Sequence, residues 1–188
     1  MEVSLDRGAE SAVIVRVAEA EAHVGALRQR YEPAVRLGVP AHVTLLYPFT
    51  PPRELTQDVL QTLRQVLSGV AAFDYRLHDT RRFPGVVYLA PDPHEPFVEM
   101  IRSIERGFPG MRLYRGRFPD VVPHLTVARG DERHMDEAYA ELRSTMAVRG
   151  AIQAHCSSVE VMEYAAGTWR PHSVLALARD RRRNGAGA

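Results

Sequence analysis

The sequence contains no lysine: all 24 basic residues among its 188 are arginine. A lysine nucleophile, a Schiff base and the lysine of a phosphate-binding P-loop are thereby excluded. An ATP-dependent ligase working through a nucleotidyl-lysine is excluded with them. Cysteine is nearly as scarce. Cys156 is the single copy, so no disulfide can form within the chain and no Cys-rich zinc site can be built. A reducing cytoplasm is the simplest setting. Long apolar runs are also missing. The first, from Ala12 to Ala18, is too short to span a membrane, is interrupted by Arg16 and follows an acidic start. Neither a membrane segment nor a targeting signal is therefore expected. A net charge of +1 supplies no global basic field for nucleic acid.

What remains is the composition of an ordinary soluble globular chain, 45% apolar and 25% charged. Its length suits one domain with a real core, taken to span 1–178 and to act as a monomer. Strands are expected over 11–18 and 41–47, as a hairpin near 73–77 and 86–90, at 122–128, and at the end over 152–164 and 172–178, turning at Gly167. Apolar stripes mark helices between them. Val24, Leu27 and Tyr31 define the first, and residues 56–70 carry the second. Phe97 to Phe108 forms the third, and Met135 to Met146 the fourth, with Asp131 as its N-cap. The four-arginine tail over 179–188 reads as disordered. Mixed helices and neighbouring antiparallel strands favour an α+β domain over a doubly wound sheet.

The most informative residues lie in two short stretches, Ala41-His42-Val43-Thr44-Leu45 and Pro123-His124-Leu125-Thr126-Val127. In a strand, positions i and i+2 share a face. His42 with Thr44, and His124 with Thr126, would each present an imidazole beside a hydroxyl, backed by aliphatics on the opposite face. One such motif is cheap: eight His and sixteen Ser plus Thr give about 0.7 His-x-[Ser/Thr] matches by chance. His155-Cys156-Ser157 is such a match, without the apolar alternation or the preceding proline. The two framed copies share both, and they stand 82 residues apart, a spacing that suits two halves of one duplicated domain.

On the stretches VPAHVTLLYPF and VVPHLTVAR, and on the element order over 11–178, the chain resembles the 2H phosphoesterase superfamily. Within it the likeness is to the bacterial 2′-5′ RNA ligase type and its cyclic phosphodiesterase relatives. The resemblance implies a bilobal fold of two pseudo-symmetric antiparallel sheets with outer helices and a central cleft. It implies His42 and His124 as the catalytic pair, Thr44 and Thr126 as phosphate ligands, and neither metal nor other cofactor. The expected substrate is a nucleotide or RNA-derived phosphate ester.

Elementary chemistry agrees with that assignment. Opening a 2′,3′-cyclic phosphate, or cleaving a 2′-5′ phosphodiester, needs in-line attack at phosphorus. One group takes a proton from water and another gives one to the leaving alkoxide. Imidazole, with an ordinary pKa of about 6.5, serves either role near neutrality. The threonine hydroxyls can donate to the non-bridging oxygens. Run backwards, the same pair could join a cyclic phosphate to a hydroxyl without ATP, the one ligase activity open to a chain without lysine.

Around this pair, Tyr47 and Arg129 hold matching positions, five residues after each histidine. Strict alternation turns both away from the histidines; only a bend at the strand end would return them as substrate contacts. Arg81 and Arg82 at the hairpin tip, with Arg115 and Arg117 before the second motif, could form a cationic rim for phosphates. Trp169 is either a base-stacking platform or hairpin packing. Three other readings stay open. The same chemistry could act on a cyclic oligonucleotide or an ADP-ribose-type cyclic phosphate. The cleft could bind nucleotide or RNA without turnover. A two-histidine metal site would have only hydroxyls as further ligands.

Overall fold

Residues 10–118 and 120–179 are described by a computed structural model of the chain. Alternating β-branched residues set the first strand, β1 (Glu10–Arg16). Val13 and Val15 enter the main core while Ala12 and Ile14 face the other way. Helix α1 (Glu21–Tyr31) buries Val24, Leu27 and the charged Arg28. A 3-10 turn over Pro33–Leu37 ends on Gly38 with φ +85°, where a Cβ would stand 2.7 Å from the Trp169 carbonyl oxygen. Only glycine fits that crossing. Strand β2 (His42–Leu46) follows.

Helix α2 (Gln57–Leu67) starts where the Thr56 hydroxyl accepts the Val59 N–H at 3.3 Å, and it buries Leu60, Leu63 and Leu67. The hairpin strands β3 (Phe73–Phe83) and β4 (Val86–Asp92) lead to α3 (Glu95–Gly107), whose Phe97, Met100, Ile101 and Ile104 are buried. Strand β5 (Leu125–Arg129) is followed by α4 (Glu132–Arg149), capped by the Asp131 carboxylate on the His134 N–H at 3.0 Å. The chain then forms β6 (Ile152–Cys156), β7 (Ser158–Ala165) and β8 (Thr168–Ala176).

All eight strands join one sheet in the order β6-β3-β4-β5-β2-β1-β7-β8, every neighbouring pair antiparallel. The expected α+β class is borne out; the two antiparallel sheets of the expectation are the two halves of this one sheet, β2-β1-β7-β8 and β5-β4-β3-β6, each beginning with a His-x-Thr segment. The halves meet at β2 and β5 through one register pair, Val43 opposite Leu125. Their helices are exchanged across that seam. The helix after β1, α1, packs on β5, and the helix after β4, α3, packs on β2. The α-helices cover one face of the sheet over the main core; the motif-bearing face is left open of them, with Ala12 and Ile14 buried there in a smaller cluster with Met162 and Trp169.

Several expected boundaries move. The single strand expected over 152–164 is two, because at Ser157 the chain passes from one half to the other: β6 pairs with β3, while β7 pairs with β1. The last strand starts at Thr168 rather than 172, and β5 starts at Leu125 rather than 122, leaving His124 just before it. The expected tail lies, from residue 180 onward, outside the described residues. Among the described residues no helix is long and apolar enough to cross a membrane.

Candidate active site

Both motif segments carry the same interruption. In β2, Thr44 lies opposite Ile14 and Leu46 opposite Val13, so Leu45 is an extra residue. In β5, Thr126 lies opposite Tyr88 and Ala128 opposite Val87, so Val127 is the extra one. Each is a β-bulge that sends two successive apolar side chains, Leu45 with Leu46 and Val127 with Ala128, into the main core. The alternation is reset by one step, and the residue five beyond each histidine returns to the histidine face. The expectation that Tyr47 and Arg129 face away is thus corrected for both.

The histidines are held alike. His42 Nδ1 lies 2.8 Å from the Pro40 carbonyl oxygen and His124 Nδ1 lies 2.7 Å from that of Val122, each two residues upstream. A carbonyl only accepts, so Nδ1 carries the hydrogen and Nε2 keeps its lone pair for the open face. His42 Nε2 is 3.2 Å from the Thr44 hydroxyl, which donates to it. Burial pushes the His42 pKa down to about 4, with the charges of Arg28, His124 and Arg129 acting in the same direction and the Pro40 carbonyl opposing. Burial lowers His124 as well, Arg129 adding to it and the Val122 carbonyl opposing. His42 is therefore neutral at ordinary pH.

Three groups not singled out as site residues from the sequence join this pair. Tyr114 stands on a turn in which Tyr114 (φ +51°), Arg115 (φ +58°) and Gly116 (φ +67°) are all left-handed, a strained conformation for the first two. The turn is pinned by the Tyr114 N–H on the Tyr47 carbonyl at 2.7 Å. The Tyr114 side chain reaches the Thr44 hydroxyl; burial raises its pKa while Thr44 and Arg129 pull it back. On the other side, Phe83 and Tyr88 stack at 4.4 Å and both rings meet the His124 ring, at 5.5 and 5.2 Å. Register explains this, since Tyr88 is opposite Thr126. Arg129 acts on both histidines and lies 3.7 Å from the buried Glu32 carboxylate. It also walls a cavity of about 180 Å³ shared with Tyr31, Glu32, Arg36 and His134.

Other expected site residues are engaged elsewhere. Arg82, expected on a cationic rim, shares the core-side parity of its neighbour Val87. Its guanidinium bonds Asp136 on α4 at 2.7 Å and lies over the Tyr139 ring, away from the histidines. Arg115 is exposed on the left-handed turn beside Tyr114. Tyr47 lies on the open face, but its hydroxyl donates to Glu10 at 2.5 Å and its ring packs edge-on against Trp169 at 6.0 Å. Trp169 is 8% exposed, wedged between Tyr47 and Tyr164, so it packs the hairpin rather than offering a free platform. His155 pairs with Asp74 across β3 and β6 at 2.6 Å, on the outermost strand of its half.

Comparison with known proteins gives this geometry a family. The profile of the 2′-5′ RNA ligase superfamily matches residues 17–168. A Bacillus cytotoxicus protein whose name assigns it provisionally to the phosphoesterases is 30% identical over 115 residues, 58% of this chain; the match spans 64% of that relative's length, under two thirds. The fold is that of Escherichia coli LigT, solved in complex with NADP+, with a TM-score of 0.55 at 17% identity over 90% of this chain and 98% of LigT. A Thermus thermophilus structure superposes with a TM-score of 0.59 at 18% identity, covering 92% of this chain and all of that one (100%). At these identities the likeness to solved structures is one of fold.

Proposed function

The chain belongs to the 2′-5′ RNA ligase superfamily, within the 2H phosphoesterases that its motifs resemble, and from that premise we propose a metal-independent phosphodiesterase. Its substrate class is a 2′,3′-cyclic phosphate or a 2′-5′ phosphodiester of a nucleotide or short RNA. The observation that carries this reading is the matched pair of Nδ1–H···carbonyl bonds on two histidines of the same sheet face, which leave each Nε2 as the basic nitrogen. LigT has been crystallised with 3′-AMP as well as NADP+, in keeping with a nucleotide ligand.

In the proposed reaction, His42 Nε2 takes a proton from water as that water attacks phosphorus. His42 is assigned the base because burial holds it neutral, with a pKa of about 4. His124, protonated on Nε2 when the anionic substrate binds beside it, gives that proton to the departing sugar oxygen. Thr126 donates to the non-bridging oxygens, as does Thr44 once its hydroxyl turns from His42 Nε2 to the substrate and frees that nitrogen for the water, and Arg129 balances their negative charge. One P–O bond forms and one breaks. The proton gained by His42 and that lost by His124 are restored through solvent. With a 5′-hydroxyl in place of water, the same pair would join it to a 2′,3′-cyclic phosphate without ATP: His42 takes the hydroxyl proton, a P–O5′ bond forms, and the 3′-oxygen leaves with the proton from His124.

Phosphorus NMR of 2′,3′-cyclic nucleotides and 2′-5′ dinucleotides, with chelator present, tests the proposal. Turnover is expected, and His42→Ala or His124→Ala should each lower it by roughly 10²–10⁴. Wild-type rates in the double variant would refute the assignment, as would saturable binding by the native protein with no turnover at all.

A further inference from the structure

Arg28 is 2% exposed, an expensive place for a guanidinium unless every donor is used. Its donors go to both motif segments. Nε donates to the Thr126 carbonyl oxygen at 3.3 Å, in β5; Nη2 donates to the Val39 and Pro40 carbonyl oxygens at 3.2 and 3.0 Å, just before β2. Nη1 pairs with Glu21 at 3.4 Å, and the same Glu21 oxygen accepts the Ala41 N–H at 2.9 Å. One side chain on α1 thus ties the two histidine-bearing segments together where their strands share only one register pair, Val43 with Leu125. The Pro40 carbonyl that Arg28 holds is also the acceptor that orients His42. For His124 the equivalent carbonyl belongs to Val122, which is 37% exposed.

We propose that Arg28 is a positioning residue: its planar fork sets the spacing between the His42 and His124 segments and fixes the His42 ring through the shared Pro40 carbonyl. The inference rests on the phosphodiesterase reading for its kinetic arm only. Arg28 does not reach the open face, so it acts through the groups it holds. The groups facing His42 are Arg28 itself from α1, neutralised in part by Glu21, His124 just before β5, and Arg129 at the end of β5. Tyr114 reaches Thr44, which bonds the ring.

Two variants separate geometry from charge. Arg28→Lys keeps a cation but has no fork to span both segments; Arg28→Met removes the cation while keeping a long apolar stem. In Arg28→Lys, kcat on a 2′,3′-cyclic nucleotide should fall about 10²-fold with KM little changed, as expected for a misplaced acid–base pair. The NMR titration midpoint of His42 should stay at its native position. In Arg28→Met the same midpoint should rise toward the ordinary value, with the His42 ring nitrogen shifts showing a mixed tautomer. Wild-type kcat in Arg28→Lys, or a loss carried by KM instead, overturns the proposal; so does an unmoved His42 midpoint and tautomer in a folded Arg28→Met. Should Arg28→Met fail to fold, Arg28→Lys decides alone. A native protein with no turnover would sink the phosphodiesterase reading, and the His42 tautomer in both variants would still test Arg28.

Discussion

Acidifying the folded protein should cost stability through His42. In the native state its pKa lies near 4, whereas in the unfolded chain it returns to about 6.5. Between these values the unfolded chain binds the extra proton, so by linkage stability falls as pH falls. The penalty is absent above about 6.5 and complete below about 4. At roughly 1.36 kcal/mol per pH unit, the ceiling is about 3 kcal/mol; water reaching the half-buried ring brings the expected figure to about 2. His124, also lowered, acts in the same direction. Urea unfolding of the native protein and His42→Gln, each at pH 7 and pH 4, isolates the contribution. The native protein should lose about 2 kcal/mol more than the variant. Equal losses would mean that the ring titrates normally and is not desolvated, removing the reason for choosing His42 as the base. The same depression places the acid limb of kcat/KM near pH 4 and, with His124 as the acid, the optimum of the free enzyme below 6.5.

Replacing Thr44 or Thr126 with valine should slow turnover about 10²-fold with little change in fold, as for a lost oxyanion donor; unchanged kcat would remove the hydroxyls from the mechanism. Glu32→Gln weakens the hold on Arg129, 3.7 Å away, and should raise KM several-fold while leaving kcat near native in steady-state assays. Gly107→Ala would set a Cβ 2.3 Å from Val66 Cγ1, between α3 and α2, and should cost about 1–3 kcal/mol in thermal melts. Adding Val66→Ala should recover most of that loss, whereas additive losses would show that the clash is not its source.

The local periodicities of this chain were legible from sequence. Asp131 as a cap, the stripe of Leu60, Leu63 and Leu67, and the β-branched run of β1 each have one physical reading, and the structure follows it. So did the shared face of His42 and Thr44, which needs only two-residue alternation. Parity failed where alternation was interrupted. The doublets Leu45-Leu46 and Val127-Ala128 are indistinguishable from ordinary strand until a neighbour shows that one residue has no partner. Arg82 and Arg81 differ by one position, and only the pairing with Val87 and Tyr88 tells which face each takes. Arg28 and Tyr114 were hidden for another reason: one is a buried cation on a weakly patterned helix, the other stands on a left-handed turn, and neither conformation has a periodic signature.

The exchange of helices across the seam has a consequence for how this protein assembles. Because α1 covers β5 and α3 covers β2, each half supplies a helix to the roof over the other's motif strand. A fragment ending after β3 would expose the apolar side of β2 and strip α1 of the strand it packs on. The halves should therefore fold as one cooperative unit. In native-state hydrogen exchange, the amides of Val43 and Leu125 should open together, at the free energy of global unfolding. Two motifs that look like copies of a portable module are, in this architecture, each other's condition for existing.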